Sequence, residues 1–346
     1  MPAISIDTFF ACTLIVAVVV VSMVATTMVV GPYIGSLHDL NEEAYLQKIV
    51  DHMIVNSGSP SDWGQNQTAT PDTYGLAEDG SFSYALDRDK VSRLNSSNAY
   101  ALTYLQILQA LRLEKVAFNI AFSQILDVSF ALNSNETVGE STTYSFNVSV
   151  SRDQAPVAAS LQCYILANDY LNDTFSSTSS NGEGVVDVEI PNASNGTALL
   201  IVFARTSYDD RVTAQGAYAF GHLSSEPSPN NTFLSLSPIN STLQADPNFE
   251  VSFEDAYQFS YGYEASLSST SNETYSVPEF LDSSPKVLAV TGWNGSAFFI
   301  EWVTYPQVPL EIGANFENTE CSSFNYLVTI DGTFYRMSVQ CGGPSH

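Results

Sequence analysis

Apolar and polar positions divide the chain into three kinds of stretch. The first is continuous. From Thr8 to Leu37 no side chain is charged, and the run from Phe9 to Val21 stays mostly apolar as far as Val30. At about 1.5 Å of rise per residue, roughly 20 such residues cross a hydrocarbon core of about 30 Å, which predicts a transmembrane helix. A secretory signal would have a shorter apolar core behind a basic segment. No Lys or Arg precedes Lys48, so the reading is an anchor that is retained. Gly31-Pro32 should interrupt the helix, because proline lacks a backbone N–H and crowds the preceding turn. Ser36-Leu37-His38-Asp39 can then cap a second, amphipathic segment. Its stripe runs Leu37, Leu40, Ala44, Ile49 and Met53, with Leu46 and Val50 beside it, and Asn56–Pro60 ends it.

The second kind of stretch, 59–113, is turns and short helices. Ser61-Asp62-Trp63-Gly64 reads as a compact turn. Helices are predicted over Leu86–Leu94 and Ala99–Leu113, the latter with Leu102, Leu105, Leu108 and Leu111 three apart, a core stripe. The third begins after Glu114, where the period becomes two. Tyr144, Phe146, Val148 and Val150 alternate with polar residues, as do Val186, Val188 and Ile190. The unbroken run Leu199–Ala204 predicts a strand buried on both faces. Strands parted by Gly, Asn and Ser turns, without helices between them, predict an antiparallel sandwich. Leu223–Asn231 is the candidate linker.

The fold expected is therefore α+β: a long N-terminal transmembrane helix, a short helical segment, then a mainly antiparallel β-sandwich ectodomain. Its parts are a transmembrane and amphipathic helical rod (1–58), short helices and turns (59–113), a β-sandwich-like domain (114–222) and a second β-rich domain or sheet extension (223–346). Near the end, Asn325–Ile330 and Thr333–Val339 flank Asp331-Gly332, a type I′ hairpin signal. A two-residue turn sets position 322 opposite 341, so Cys321 is one residue out of register with Cys341. A small bulge would join them, and a Cys321–Cys341 disulfide is expected. Cys163 lies on an alternating strand and reads as a small buried apolar residue, and Cys12 as an ordinary helix residue.

Charge changes the picture in one respect. Against 37 acidic residues stand only 11 basic ones, for a formal net charge of −26. Such a surface repels phosphate backbones, which excludes nucleic acid as a partner. Polarity comes mainly from Ser, Thr, Asn and Tyr. Eleven Asn-x-Ser/Thr acceptor motifs follow the apolar run, at Asn66, Asn95, Asn135, Asn147, Asn172, Asn192, Asn195, Asn230, Asn240, Asn272 and Asn294. Their number on one side of the run implies an exported glycoprotein. The expected placement is a single-pass protein of the cell membrane, with its C-terminal domain outside and a surface filament as one form.

Ala3-Ile4-Ser5-Ile6-Asp7-Thr8-Phe9 resembles the start of mature archaeal type IV pilin-like proteins, in which a small residue, a serine and an acidic residue precede a long apolar helix. The resemblance covers roughly thirty residues. It implies that Ala3 is the first mature residue, that Ser5 and Asp7 occupy the family's motif positions, and that Asp7 offsets a free α-amino group in an apolar filament core. A charge there is tolerable only when paired. The Lys/Arg-rich leader of that family is not present before Ala3. The partners implied are the membrane and identical or related pilin-like subunits.

There is no Gly-x-Ser-x-Gly, His-Glu-x-x-His, Cys-x-x-Cys or phosphate-binding glycine loop. The four histidines are scattered. Asp87-Arg88-Asp89-Lys90 reads as a solvated helix start and Asp209-Asp210-Arg211 as a turn. No catalytic, cofactor-binding or metal-ligating residue is assigned, and no cofactor is expected beyond structural calcium at the Asp/Asn-rich loops. The function expected is a non-enzymatic cell-surface structural protein, a pilin-like subunit or pilin-related anchored ectodomain. The alternatives are a membrane-tethered adhesion or glycan-binding protein and, behind it, an anchored extracellular hydrolase.

Overall fold

A computed structural model of the chain describes residues 6–82, 84–113, 115–224, 226–271, 273–280, 285–317 and 321–343, and for 6–12 and 25–42 the backbone only. The chain divides into two compact units after Asp51. Helix α1 (Ile6–Val55) is continuous, Gly31-Pro32 included, so the expected interruption does not occur. In its last turns the buried side chains are Leu46, Val50, Met53 and Ile54. Their spacing of four, three and one keeps them on one helical face.

Two expectations are corrected here. Among the described residues, no helix is long and apolar enough to cross a membrane. The apolar stretch of α1 whose side chains are described is Thr13–Val24, and a dozen residues rise only about 18 Å, short of a hydrocarbon core of about 30 Å. The transmembrane helix, and the single-pass placement built on it, are therefore not supported, and the architecture is mainly β. The disulfide is the second correction, because Cys321 and Cys341 are both free thiols.

The second unit starts with short elements: β1 (Ala85–Leu86), α2 (Arg88–Ser92) and α3 (Tyr104–Leu111). A capping box, Thr103 with Gln106, opens α3. Its buried side chains are Ile107 and Ala110, whereas Leu105 is 62% exposed. A spacing of three slips about 60° per step around a helix, so the four leucines could not share one face. Next comes β2 (Ala117–Gln124).

Two sandwiches follow. The first contains β3 (Asp127–Val138), β4 (Ser141–Arg152), β5 (Ala155–Pro156), β6 (Ser160–Ala167), β7 (Tyr170–Ser177), β8 (Glu183–Pro191), β9 (Gly196–Arg205) and β10 (Thr213–His222). Its outer sheet centres on β4, flanked by β3 and β8, and its inner sheet has the order β10-β9-β6-β7. The second contains β11 (Leu234–Ile239), β12 (Thr242–Pro247), β13 (Ser252–Ser260), β14 (Tyr263–Ser266), β15 (Ser268–Ser271), β16 (Thr274–Ser276), β17 (Lys286–Asn294) and β18 (Ala297–Tyr305). Here the outer sheet runs β11-β12-β16-β15 and the inner one β14-β13-β17-β18.

The alternation along β4 and β8 turns Tyr144, Phe146, Val148, Val186, Val188 and Ile190 into the first core, opposite Leu200 and Val202. The other face of β9, Leu199, Ile201 and Phe203, packs on Phe259, Val287, Phe298 and Ile300 of the second sandwich. The two inner sheets thus lie back to back, each buried on both faces, which is why β9 can be apolar throughout. The third core closes the second sandwich around Leu236, Leu243, Leu288 and Phe299.

The last strands, β19 (Leu310–Gly313), β20 (Ser322–Ile330) and β21 (Thr333–Gly342), return to the start and form one sheet, β1-β20-β21-β2-β19. The β20–β21 hairpin turns at Asp331 (φ 49°) and Gly332 (φ 78°), the two left-handed positions that a type I′ turn requires. Pairing then continues without a bulge to Ser322 opposite Cys341. Cys321 lies just outside β20 and one residue out of register with Cys341, and the two thiols stay unbonded.

His222 closes the first core and carries a pH prediction. It is fully buried, with Nδ1 3.0 Å from the Tyr144 hydroxyl and Nε2 3.0 Å from the Pro191 carbonyl. A carbonyl only accepts, so Nε2 bears the proton and Nδ1 accepts from Tyr144, giving a neutral ring. Burial lowers its pKa, outweighing the opposing Pro191 bond. The unfolded imidazole takes a proton near pH 6.5, so stability is complete above about 6.5 and falls as pH drops toward the lower folded value. Urea unfolding at pH 7.5 and 5.5 should show a larger loss for the native chain than for His222→Gln. Equal losses would assign the acid sensitivity to other groups.

Candidate functional site

Among the described residues, a dense cluster of charge lies where Asp87-Arg88-Asp89-Lys90 meets the second sandwich and the β20–β21 turn. Asp87 caps α2, accepting from the Lys90 amide at 2.9 Å. The expected solvated helix start is corrected: Asp89 is 4% exposed and Lys90 fully buried. Arg88 donates to Glu279 Oε1 at 2.8 Å and to Asp331 Oδ2 at 2.7 Å, and its guanidinium sits 4.1 Å over the Tyr305 ring. Lys286 Nζ reaches Glu279 Oε2 at 2.6 Å. Tyr305 donates its hydroxyl to Asp89, which also accepts from the Asn240 amide at 2.9 Å.

Burial sets the protonation of this cluster. It raises the Asp89 carboxyl, opposed by the Tyr305 bond and the Arg88 charge, and it raises Tyr305 as well. It lowers Lys286, and the neighbouring Arg88 charge adds to that effect. Burial alone would raise Glu279 too, but hydrogen bonds from Arg88 and Lys286 hold it at about 2. Tyr305 is wholly buried and its hydroxyl is engaged, so the cluster has the chemistry of a joint between segments, with the Glu279 and Asp331 carboxylates at its exposed rim.

Two further cations of this segment are structural. Arg93 donates to the carbonyls of Trp63, Asn66, Ala69 and Tyr100, pinning the loop in which Trp63 sits fully buried. Lys90 Nζ donates to the Ser57 and Ala77 carbonyls at 2.9 and 2.8 Å. Both of those residues line a cavity of 260 Å³ with Asn56, Glu78, Asp79 and Phe82. Phe82 is 90% exposed. Among the described residues, no group of three or more His, Cys, Asp or Glu could hold a metal ion.

The residues singled out from sequence are dispersed. Ala3 and Ser5 lie outside the described residues, and Asp7 is in α1 with its side chain outside them, as is that of Cys12. Cys163 is fully buried, and burial pushes its thiol up to about 12. Asp209 takes a bidentate bond from Arg211 within the expected turn. Of the acceptor asparagines, Asn66, Asn135, Asn147, Asn172, Asn195, Asn240 and Asn294 are exposed, and Asn95, Asn192 and Asn230 are half-buried. Asn272 lies outside the described residues.

Sequence reasoning missed the Arg88 cluster. One signal was available: Arg88, Lys90 and Arg93 place three of the 11 basic residues within six positions, a density unlike a random surface in so acidic a chain.

Neither a family profile nor a curated protein sequence matches the chain. Among solved structures, HBP35 of Porphyromonas gingivalis is similar over 52% of this chain and 63% of its own, at 13% identity and a TM-score of 0.21. The FN1–FN3 domains of chicken CNTN1 are similar over 50% and 65%, at 9% identity and a TM-score of 0.18. Human GIVD cytosolic phospholipase A2 follows over 67% and 33%, at 8% identity and a TM-score of 0.15. The chain thus spans less than two thirds of the length of each. Likeness this slight carries no argument about function.

Proposed function

We propose that this chain is a non-enzymatic structural protein of the pilin-like kind, associating through α1 with copies of itself. One observation carries the reading. Leu14, Ile15, Val16, Val18, Val19, Val20 and Val21 are each 47–68% exposed. Eight successive positions at about 100° apiece cover every face of a helix. A helix apolar all round is buried in its working state, and each such side chain gains about 1.5–3 kcal/mol on full burial. A second copy of the same helix offers the matching all-round apolar surface, with no charge between Thr8 and Leu37 to be left unpaired. The opening Ala3-Ile4-Ser5-Ile6-Asp7, similar to that of pilin-like subunits, supports the same reading.

The test is the mass of the full chain in solution by light scattering. Multiples of the 37.6 kDa chain mass are expected for the native protein, and the single-chain mass for Val16→Lys combined with Val19→Lys. The variant's thermal transition should be unchanged, since neither residue belongs to the β unit. A native chain that stays single without detergent, or a double variant that still associates, would sink the reading.

A further inference from the structure

The eleven acceptor motifs look alike in sequence, but the fold treats them differently. An N-linked glycan is attached at Nδ2. A bond forms between that nitrogen and C1 of the sugar as the C1–O bond to a lipid-phosphate carrier breaks. The phosphate leaves with the electron pair, and the amide gives up one proton. The transferring enzyme must also reach the hydroxyl two residues on. A folded acceptor therefore needs an uncommitted Nδ2 and an accessible Ser or Thr.

Three asparagines have that nitrogen committed to main chain. Asn230 Nδ2 donates to the Trp302 carbonyl at 2.8 Å, while the Trp302 amide donates back to Oδ1 at 3.0 Å. The side chain imitates a neighbouring strand and pins the segment joining the two sandwiches. Asn95 Nδ2 donates to the Gln307 carbonyl at 3.0 Å, and Asn192 Nδ2 to the Gly139 carbonyl at 3.2 Å. At Asn195 the hydroxyl is the closed partner. Thr197 is buried, and its Oγ1 donates to the Phe298 carbonyl at 3.1 Å.

Among the described motifs, four have both positions exposed, with the Thr137 hydroxyl hydrogen-bonded to that of Thr142 at 2.9 Å. Asn66 with Thr68, Asn135 with Thr137, Asn147 with Ser149 and Asn294 with Ser296 are all exposed pairs. At Asn66 both local bonds, from the Thr68 amide and hydroxyl at 3.1 Å, use Oδ1 and not Nδ2. Asn147 lies mid-strand on the solvent face of the first outer sheet, where Ala131 and Val185 are its cross-strand partners. Asn294 and Ser296 sit at the β17–β18 turn. Asn172 and Asn240 stand between the groups, exposed themselves but with half-buried Thr174 and Thr242.

We propose that the folded chain accepts N-linked glycans at Asn66, Asn135, Asn147 and Asn294, and that Asn95, Asn192, Asn195 and Asn230 are structural asparagines that stay unmodified. The acceptor reaction takes a lipid-phosphate-linked oligosaccharide as donor. The inference does not rest on association through α1, so either can fail alone.

The test is peptide mapping by mass spectrometry of the full chain purified from the organism that makes it, together with intact-mass measurement. Glycan mass on at least three of the four open asparagines, and on none of the four closed ones, is expected. Asn147→Gln should lose one glycan from the intact mass, and Asn230→Gln none. Asn230→Gln should instead lower the thermal midpoint, because the Trp302 clamp is lost. Two or fewer open sites modified, or glycan on any of the four closed asparagines, would overturn the proposal.

Discussion

Replacing Arg88 with alanine is expected to destabilise the β unit by about 1.5–3 kcal/mol, the range for hydrogen bonds to charged groups, because Arg88 is buried while its partners Glu279 and Asp331 are 53% and 38% exposed. The side chain of Arg88 is 11% exposed, and it bridges residues that are far apart in the chain, Glu279 and Asp331. Without it, Asp331 loses its partner at the hairpin turn and the Tyr305 ring loses the guanidinium above it. Asp89 also loses one of the three influences that offset its burial. Arg211 with Asp209 is the internal comparison. Its side chain is 56% exposed, and exposed pairs of this kind contribute little to stability. Arg211→Ala should therefore move the urea midpoint far less than Arg88→Ala. A second readout separates loss of the pair from general loosening. The Glu279 carboxyl, held at about 2, should titrate closer to the ordinary carboxylate range in the variant, while Lys286 keeps it from reaching that range. An Arg88→Ala change of under about 1 kcal/mol would reduce the cluster to an ordinary surface ion pair.

That cluster marks the limit of what local pattern conveys. Four alternately charged residues at a helix start look the same whether they face water or a neighbouring sheet. What decides is that β18 ends at Tyr305 and β20 turns at Asp331, more than two hundred positions along the chain. Where the determining contacts are local or periodic, the sequence was informative. The Asp331-Gly332 turn, the alternation of Tyr144 to Val150 and the two-sided burial of Leu199–Ala204 all appear in the structure. Spacing along the chain is not geometry in the fold. Four leucines three apart span half a helix circumference, and Leu105 ends in solvent. The expected disulfide needed a bulge that the β20–β21 ladder has no cause to make. The uncharged N-terminal run suggested a membrane span, but the stretch described with its side chains is shorter than a bilayer core. Among the acceptor motifs, nothing near Asn230 in sequence announces its pairing with Trp302, seventy-two positions away.

Phe203→Ala should cost about 3–5 kcal/mol, the usual range for truncating a fully buried phenylalanine, and its wider consequence is to test whether the two sandwiches unfold as one. Phe203 is fully buried, and it lies on the face of β9 turned away from the first core, among Phe259, Val287, Phe298 and Ile300 of the second sandwich. Its ring meets that of Tyr164 edge-on at 6.1 Å, and Tyr164 donates its hydroxyl across the same interface to the Ser260 carbonyl at 3.0 Å. A chain of two sandwiches joined only by the Leu223–Asn231 segment would localise the damage to the first. Back-to-back inner sheets predict otherwise. The cavity sits in a layer to which both sandwiches contribute, so each loses contacts when the ring is removed. Trp293 and Trp302 pack against this layer from the second sandwich, and their fluorescence should shift to a lower urea midpoint together with the far-UV signal of the whole unit. Phe203→Leu, which keeps most of the volume, should cost much less. If the tryptophan transition stays in place while the far-UV signal splits into two, the sandwiches are independent domains. The shared apolar layer would then be a contact that the native state does not need.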